Sequence, residues 1–142
     1  MITLQILKEP NPAETEQLLT LYTIAGWITA DEETAGQLVQ DIVRHTFRFV
    51  IAKDGAGIIG MGRAISDGVS DAYIQDVTVL PEYRQQGIGG RIIDYLVQEL
   101  HASGIGWIGL ISEPGYERFY RKLGFADMTG YTPFLYTGRQ HP

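Results

Sequence analysis

The sequence predicts a mixed α/β domain on one sheet that is mostly antiparallel and holds one parallel strand pair. Three observations predict it. Between residues 47 and 80, three apolar and β-branched runs are separated by the turn pairs Asp54-Gly55 and Asp67-Gly68, the pattern of an antiparallel meander. Residues 87–101 then change to a 3.6-residue apolar period, and residues 107–111 change back to a continuous apolar run. A strand, helix, strand unit of this kind joins parallel strands by a right-handed crossover, with a ligand crevice at their carboxyl ends.

Each element has its own local reason. Residues 2–8 alternate and open as a strand. Asn11 can cap a helix and Pro12 can take its first turn; Leu18, Leu21, Tyr22 and Ala25 recur on one face until Gly26 breaks the helix. The Gly26-Trp27-Ile28 segment is expected to be a short exposed elbow. A second helix follows residues 29–31, with Leu38, Ile42 and Val43 on its apolar side. The meander strands are predicted at 47–53, 57–65 and 72–80. In the third helix, 87–101, the stripe is Ile88, Ile92, Tyr95, Leu96 and Leu100, and Gly104 ends it. Pro114 opens a last short helix reaching Gly124, and residues 125–128 and 132–136 are predicted to close the sheet as two strands, giving the order βααβββαβαββ.

At 142 residues the chain is expected to be one domain. It has no cysteine, which excludes disulfides, thiolate metal sites and a cysteine acyl carrier. His45, His101 and His141 are scattered without metal-ligand spacing, so no metal is expected. A formal charge of -6 speaks against a nucleic-acid partner and mildly favours a cationic small molecule. No apolar run approaches the roughly 20 residues of a membrane span, and the first eight residues carry no basic leader, so a soluble cytoplasmic protein is expected.

Arg84-Gln85-Gln86-Gly87-Ile88-Gly89 falls where a strand gives way to the third helix. Glycines without Cβ atoms let an anion approach the backbone, and unpaired N–H groups at a helix start point toward it. Arg84 and Arg91 stand close enough in sequence to neutralise phosphate charge. Read without a ligand, the same residues make a tight turn. The third glycine of a dinucleotide fingerprint is missing, as is the Gly-Lys-Ser/Thr of a nucleoside-triphosphatase loop.

The segment Val77-Thr78-Val79-Leu80-Pro81-Glu82-Tyr83-Arg84-Gln85-Gln86-Gly87-Ile88-Gly89 resembles the acetyl-CoA segment of the GCN5-related N-acetyltransferase (GNAT) superfamily, which reads Arg/Gln-x-x-Gly-x-Gly/Ala. Phe119-Tyr120-Arg121-Lys122-Leu123-Gly124-Phe125 resembles that family's second hallmark, and the element order resembles the family's over nearly the whole chain. Residues 62–67, 74–77 and 119–125 look most like the arylalkylamine (serotonin-type) branch. The resemblance implies a GNAT-like fold with acetyl-CoA as co-substrate. It also implies that N–H groups of Gln85, Gln86, Gly87, Ile88, Gly89 and Gly90, beside Arg84, hold the diphosphate, while the backbone of Val77, Thr78 and Val79 pairs with the pantetheine arm like an added strand.

Acetyl transfer to an amine needs a neutral amine, a polarised carbonyl and a proton for the departing thiolate. Asp76 is the candidate base, because a carboxylate in an otherwise apolar strand is expensive unless it is paired; the competing reading is that it accepts hydrogen bonds and orders the sheet. Glu113, before Pro114, is the second candidate, acting through water. Tyr120 is the candidate acid, since a tyrosine pKa near 10 suits protonation of a thiolate. Helical spacing alone would make it core, and the resemblance is what turns it toward the CoA sulfur. Where many members carry asparagine and alanine, this chain has Glu113 and Tyr116, which changes the side-chain contact to pantetheine. Trp27 and Tyr136, with Tyr131 and Phe134, are the aromatic candidates for an acceptor pocket.

The expected activity is acetyl transfer from acetyl-CoA to a primary amine of a small molecule in a ternary complex. A CoA-binding regulatory module without turnover and a protein or peptide N-acetyltransferase are the alternatives. The apolar run 134–136 is a candidate edge for pairing with a second copy.

Overall fold

Asn11 and Pro12 start the first helix as their types require. The Asn11 side chain accepts from the Glu14 N–H (2.7 Å) while the Glu14 carboxylate accepts from the Asn11 N–H (3.0 Å), a reciprocal capping box. Replacing Asn11 by alanine should therefore cost about 1 kcal/mol in a urea titration. The computed structural model describes residues 1–29, 31 and 33–140. His141, and residue 30 within the expected start of the second helix, lie outside the described residues.

The observed order is β1 (Ile2–Ile6), α1 (Pro12–Ile24), α2 (Ala35–His45), β2 (Arg48–Asp54), β3 (Gly57–Ser66), β4 (Asp71–Val79), a 3₁₀ turn (Pro81–Tyr83), α3 (Ile88–Ala102), β5 (Trp107–Gly109) and α4 (Glu117–Lys122). The chain divides into two compact units, Met1–Leu110 and Ile111–Pro142. In the first, the sheet order is β1-β2-β3-β4-β5, antiparallel up to β4 and parallel between β4 and β5. That is the predicted sheet, with the parallel pair where the crossover helix requires it.

Two apolar layers cover its faces. Leu18, Leu21 and Tyr22 of α1 and Val39 and Val43 of α2 join Phe49, Ile51 and Met61 in one cluster. On the opposite face, α3 presses Ile92 and Leu96 toward Gly60 and Gly62 of β3. A Cβ on Gly62 would lie 2.7 Å from Ile92 Cγ2, so glycine there is what lets helix and sheet close. A Gly62→Val variant should lose roughly 1–3 kcal/mol of stability, read as a lower urea midpoint at unchanged m-value.

Two expectations are corrected. In α2 the inward residues are Ala35, Val39 and Val43, whereas Leu38 is 41% exposed and Ile42 only partly buried. The helix starts at Ala35 rather than near residue 31, and positions i, i+4 and i+8 from that start face the core. The predicted closing strands at 125–128 and 132–136 are not formed: residues 125–140 carry no strand, so the described order ends at α4. Gly124, Gly130 and Gly138 all take positive φ, and Pro133 removes a ladder donor, so the apolar runs between them are too short to sustain pairing alone.

Candidate active site

The site in the first unit is built around a fault in β4. Arg63 of β3 pairs with Gln75 and Met61 pairs with Thr78, so Asp76 and Val77 together face the single residue Gly62. This is a β-bulge, and Asp76 takes φ +57 in it. The cause lies in the side chains. Ala72 and Ile74 are buried, and unbroken alternation would send Asp76 and Thr78 after them. The bulge shifts the phase by one, so Val77 and Val79 continue that face instead: a Cβ on Gly62 would lie 3.2 Å from Val77 Cγ2, and one on Gly60 3.4 Å from Val79 Cγ2. A left-handed residue costs about 1–3 kcal/mol, less than an unpaired carboxylate under an apolar helix.

Asp76 is then caught from two sides. Its Oδ2 accepts from Arg63 Nε at 2.6 Å and from the Tyr22 hydroxyl at 2.7 Å. Arg63 also donates to Thr46 Oγ1 at 3.3 Å, just past the end of α2. Burial pushes the Tyr22 phenol far above its usual range, and the charge and hydrogen bond of Asp76 add to this while Arg63 opposes it. Tyr22 therefore stays a neutral donor. Trp27, on the elbow, sets its ring edge-on to Tyr22 at 6.2 Å between centroids and is 40% exposed. Arg63, Tyr22 and Thr46 are site residues that sequence reasoning missed. The available signal was an arginine in an apolar strand, which needs a buried anion as much as Asp76 needs a cation.

Beyond the bulge the edge of β4 is open. β5 pairs only with Asp71, Ala72 and Tyr73, leaving residues 74–79 without a partner strand on that side among the described residues. Leu80 bonds back to Ile59 O at 2.8 Å, and the 3₁₀ turn leads into Arg84. Gln85 (φ +61) and Gly87 (φ +78) are both left-handed, which turns the backbone into the start of α3. Gly87 is the N-cap with no side-chain cap, and the space above it is clear, with no atom within 4 Å of a built Cβ. The first helical bond runs from Arg91 N–H to Gly87 O, so the N–H groups of Ile88, Gly89 and Gly90 precede any intrahelical acceptor.

The loop thus offers open backbone donors at a positive helix end, and its donor set fits a diphosphate. The two arginines behave differently from each other. Arg84 Nε donates to Val79 O at 2.9 Å, tying the exposed loop residue to the end of β4. Arg91 donates to Ile2 O at 3.2 Å, so it is engaged by β1.

The second unit holds Tyr120 and the aromatic candidates other than Trp27. Tyr120, half-buried on α4, packs edge-on against Phe119 (5.1 Å) and Phe125 (6.0 Å). The N–H groups of Leu123 and Phe125 both donate to Tyr120 O, which closes the helix end around it. Burial raises the phenol above its ordinary pKa, and the charges of Glu113 and Tyr116 raise it further. Glu113 and Tyr116 are exposed, as are Tyr131, Phe134 and Tyr136. Among the described residues no group of three or more His, Cys, Asp or Glu side chains gathers as a metal site.

A family model described as an acetyltransferase (GNAT) domain matches residues 45–127, more than half of the chain. The chain is similar to the histone acetyltransferase TAP1 of Glycine max, with 45% identity over 74 residues covering 51% of this chain and 32% of that protein. It is likewise similar to serotonin N-acetyltransferase 2, chloroplastic, of Oryza sativa subsp. japonica, with 40% identity over 68 residues covering 48% and 34%. The chain spans less than half the length of these curated relatives. Among solved structures, the GNAT family protein SP0256 from Streptococcus pneumoniae TIGR4 matches with a TM-score of 0.81 at 26% identity, covering 99% of this chain and 100% of that one.

Proposed function

The chain belongs to the GNAT acetyltransferase family, and on that premise we propose that it moves an acetyl group from acetyl-CoA to a primary amine of a small molecule. The observation that carries this reading is the open edge of β4 running into an uncapped, glycine-led helix start. N–H groups from Gln85 to Gly90 take the diphosphate, and the backbone of Val77, Thr78 and Val79 takes the pantetheine arm as an added strand. Acetyl-CoA supplies the activated acetyl thioester.

The chain's own groups handle the protons. Tyr120, held neutral by burial, donates to the departing thiolate, and Glu113 accepts the amine proton through water. No cysteine is available to carry the acetyl group, and direct attack by the amine is a simpler route than an acyl-serine. The exposed Trp27 ring and an overall charge of -6 suit an arylalkylamine with a cationic head, and Tyr136 is a second aromatic candidate for that acceptor. The name of the rice relative supports the same class. A protein amine is the second reading, favoured by the name of the soybean relative.

We further propose that the 142 residues act as one domain, because the second unit is too small to hold a core of its own. The compartment proposed from the missing cysteines is a reducing one, the cytoplasm. The rice relative's name points to the chloroplast instead, and fractionation separates the two. No helix among the described residues is long and apolar enough to cross a membrane.

Acetyl-CoA titration by calorimetry, followed by CoA release with arylalkylamines, polyamines, amino acids and peptides, tests the reading directly. Saturable binding with turnover on an arylalkylamine is expected. Binding without turnover on any amine would leave a regulatory CoA module, and no binding would remove both. Gly87→Val, which must adopt a left-handed φ, should raise the Kd for CoA roughly tenfold and lower Tm by about 3–10 °C.

A further inference from the structure

We propose that Asp76 is a positioning residue: caught by Arg63 and Tyr22, its carboxylate fixes the left-handed bulge of β4 and, through it, the register of the open edge that ends at Val79. The inference rests on the reading of that edge as the seat of the CoA arm, and it reassigns the residue that sequence reasoning offered as the base.

A general base must be free to turn a lone pair toward the incoming proton. Asp76 Oδ2 instead takes two donors at 2.6 and 2.7 Å, one of them a guanidinium. The same contacts suit a clamp. Asp76 is a non-glycine residue at φ +57 inside a strand, a conformation that persists only when its surroundings determine it. Here they do so from two other elements: Tyr22 comes from α1 and Arg63 from β3, and Arg63 is itself tied to Thr46 at the end of α2. If the bulge slipped by one residue, the ion pair would break and Val77 and Val79 would leave the face packed by α3.

Tyr22 extends the clamp toward the acceptor side. One face of the contact is its hydroxyl on Asp76, and the other is its ring against Trp27 of the elbow. One side chain therefore steadies both the cofactor edge and an aromatic wall of the proposed acceptor pocket. Loosening it should be felt in CoA affinity and in the KM for amine together.

The test compares Asp76→Asn, Asp76→Val and Tyr22→Phe in the full chain by three readouts: CoA affinity by calorimetry, amide hydrogen exchange at residues 75–79, and kcat with whichever amine the panel identifies. Asparagine tolerates a left-handed φ and its carbonyl oxygen can accept from both donors, so it should keep CoA affinity within about threefold and most of kcat. Valine does neither, and should weaken CoA binding roughly tenfold or more and speed exchange at 75–79. Tyr22→Phe, which keeps the ring in place, should fall between them and covers the case in which the valine variant does not fold.

A hundredfold loss of kcat in Asp76→Asn, at unchanged CoA affinity and exchange, would make Asp76 the base and overturn the inference. Wild-type affinity and exchange in both Asp76→Val and Tyr22→Phe would overturn it as well. If the wild-type chain binds no CoA, the acetyltransferase reading fails on its own, while the exchange comparison still decides whether Asp76 fixes the bulge.

Discussion

Replacing Tyr120 by phenylalanine is expected to lower kcat/KM by roughly ten- to thousandfold while leaving CoA affinity nearly intact, the loss typical of one proton-transferring group. The ring stays, so its edge contacts with Phe119 and Phe125 stay, and the fold of the second unit should not change. What disappears is a proton held above its ordinary range by burial and by the charge of Glu113. The pH profile gives an independent check. With the pKa raised, Tyr120 remains protonated through ordinary working pH, so kcat should fall on the alkaline side only above the unperturbed value of about 10. Glu113→Gln should lower kcat through loss of the proposed base and, because it removes a negative charge that favours the neutral phenol, should also move this fall to lower pH. Turnover unchanged in Tyr120→Phe would remove the residue from the mechanism.

Arg63→Met is expected to cost about 3 kcal/mol of stability, the usual penalty for leaving one member of a buried ion pair behind. The Arg63 and Asp76 side chains are only 17% and 18% exposed, so water cannot replace the lost partner fully. For a chain of this size the loss should lower Tm by roughly 10 °C. Adding Asp76→Asn to Arg63→Met removes the stranded charge and should recover at least half of the loss, a coupling that an additive pair would not show. A single-variant loss below about 1 kcal/mol in urea denaturation would mean the pair is effectively solvated. Tyr22 contributes a separate pH signature. Its pKa is raised in the folded state, so its contribution to stability is complete below about pH 10 and is lost as pH rises beyond that. Tm should fall above pH 10, and less steeply in Tyr22→Phe.

What was legible in the sequence is what local rules decide. Asn11, Pro12 and Gly26 bounded α1, and the turn pairs at 54–55 and 67–68 placed the meander; the 3.6-residue stripe found Ile88, Ile92, Leu96 and Leu100 of α3. The glycine loop was legible for the same reason, since helix-start donors and left-handed glycine are properties of a few adjacent residues. The closing strands were misread because a strand is completed by its neighbour. Apolar runs between Gly124, Gly130 and Gly138 show β-propensity but do not supply a pairing partner.

By itself, then, the sequence determined the antiparallel meander, the parallel pair that follows it, the position of the glycine-led helix start and the chemistry excluded by the absence of cysteine. Only the tertiary structure decided what Asp76 does. Its partners stand 13 and 54 residues away on other elements, and the bulge that turns it toward them arises from packing between Gly62, Val77 and Ile92. A residue type and its immediate neighbours state that a strand carboxylate must be paired. Which groups pair it, and how firmly they hold its orientation, depends on contacts that exist only once α1, β3 and β4 have packed together.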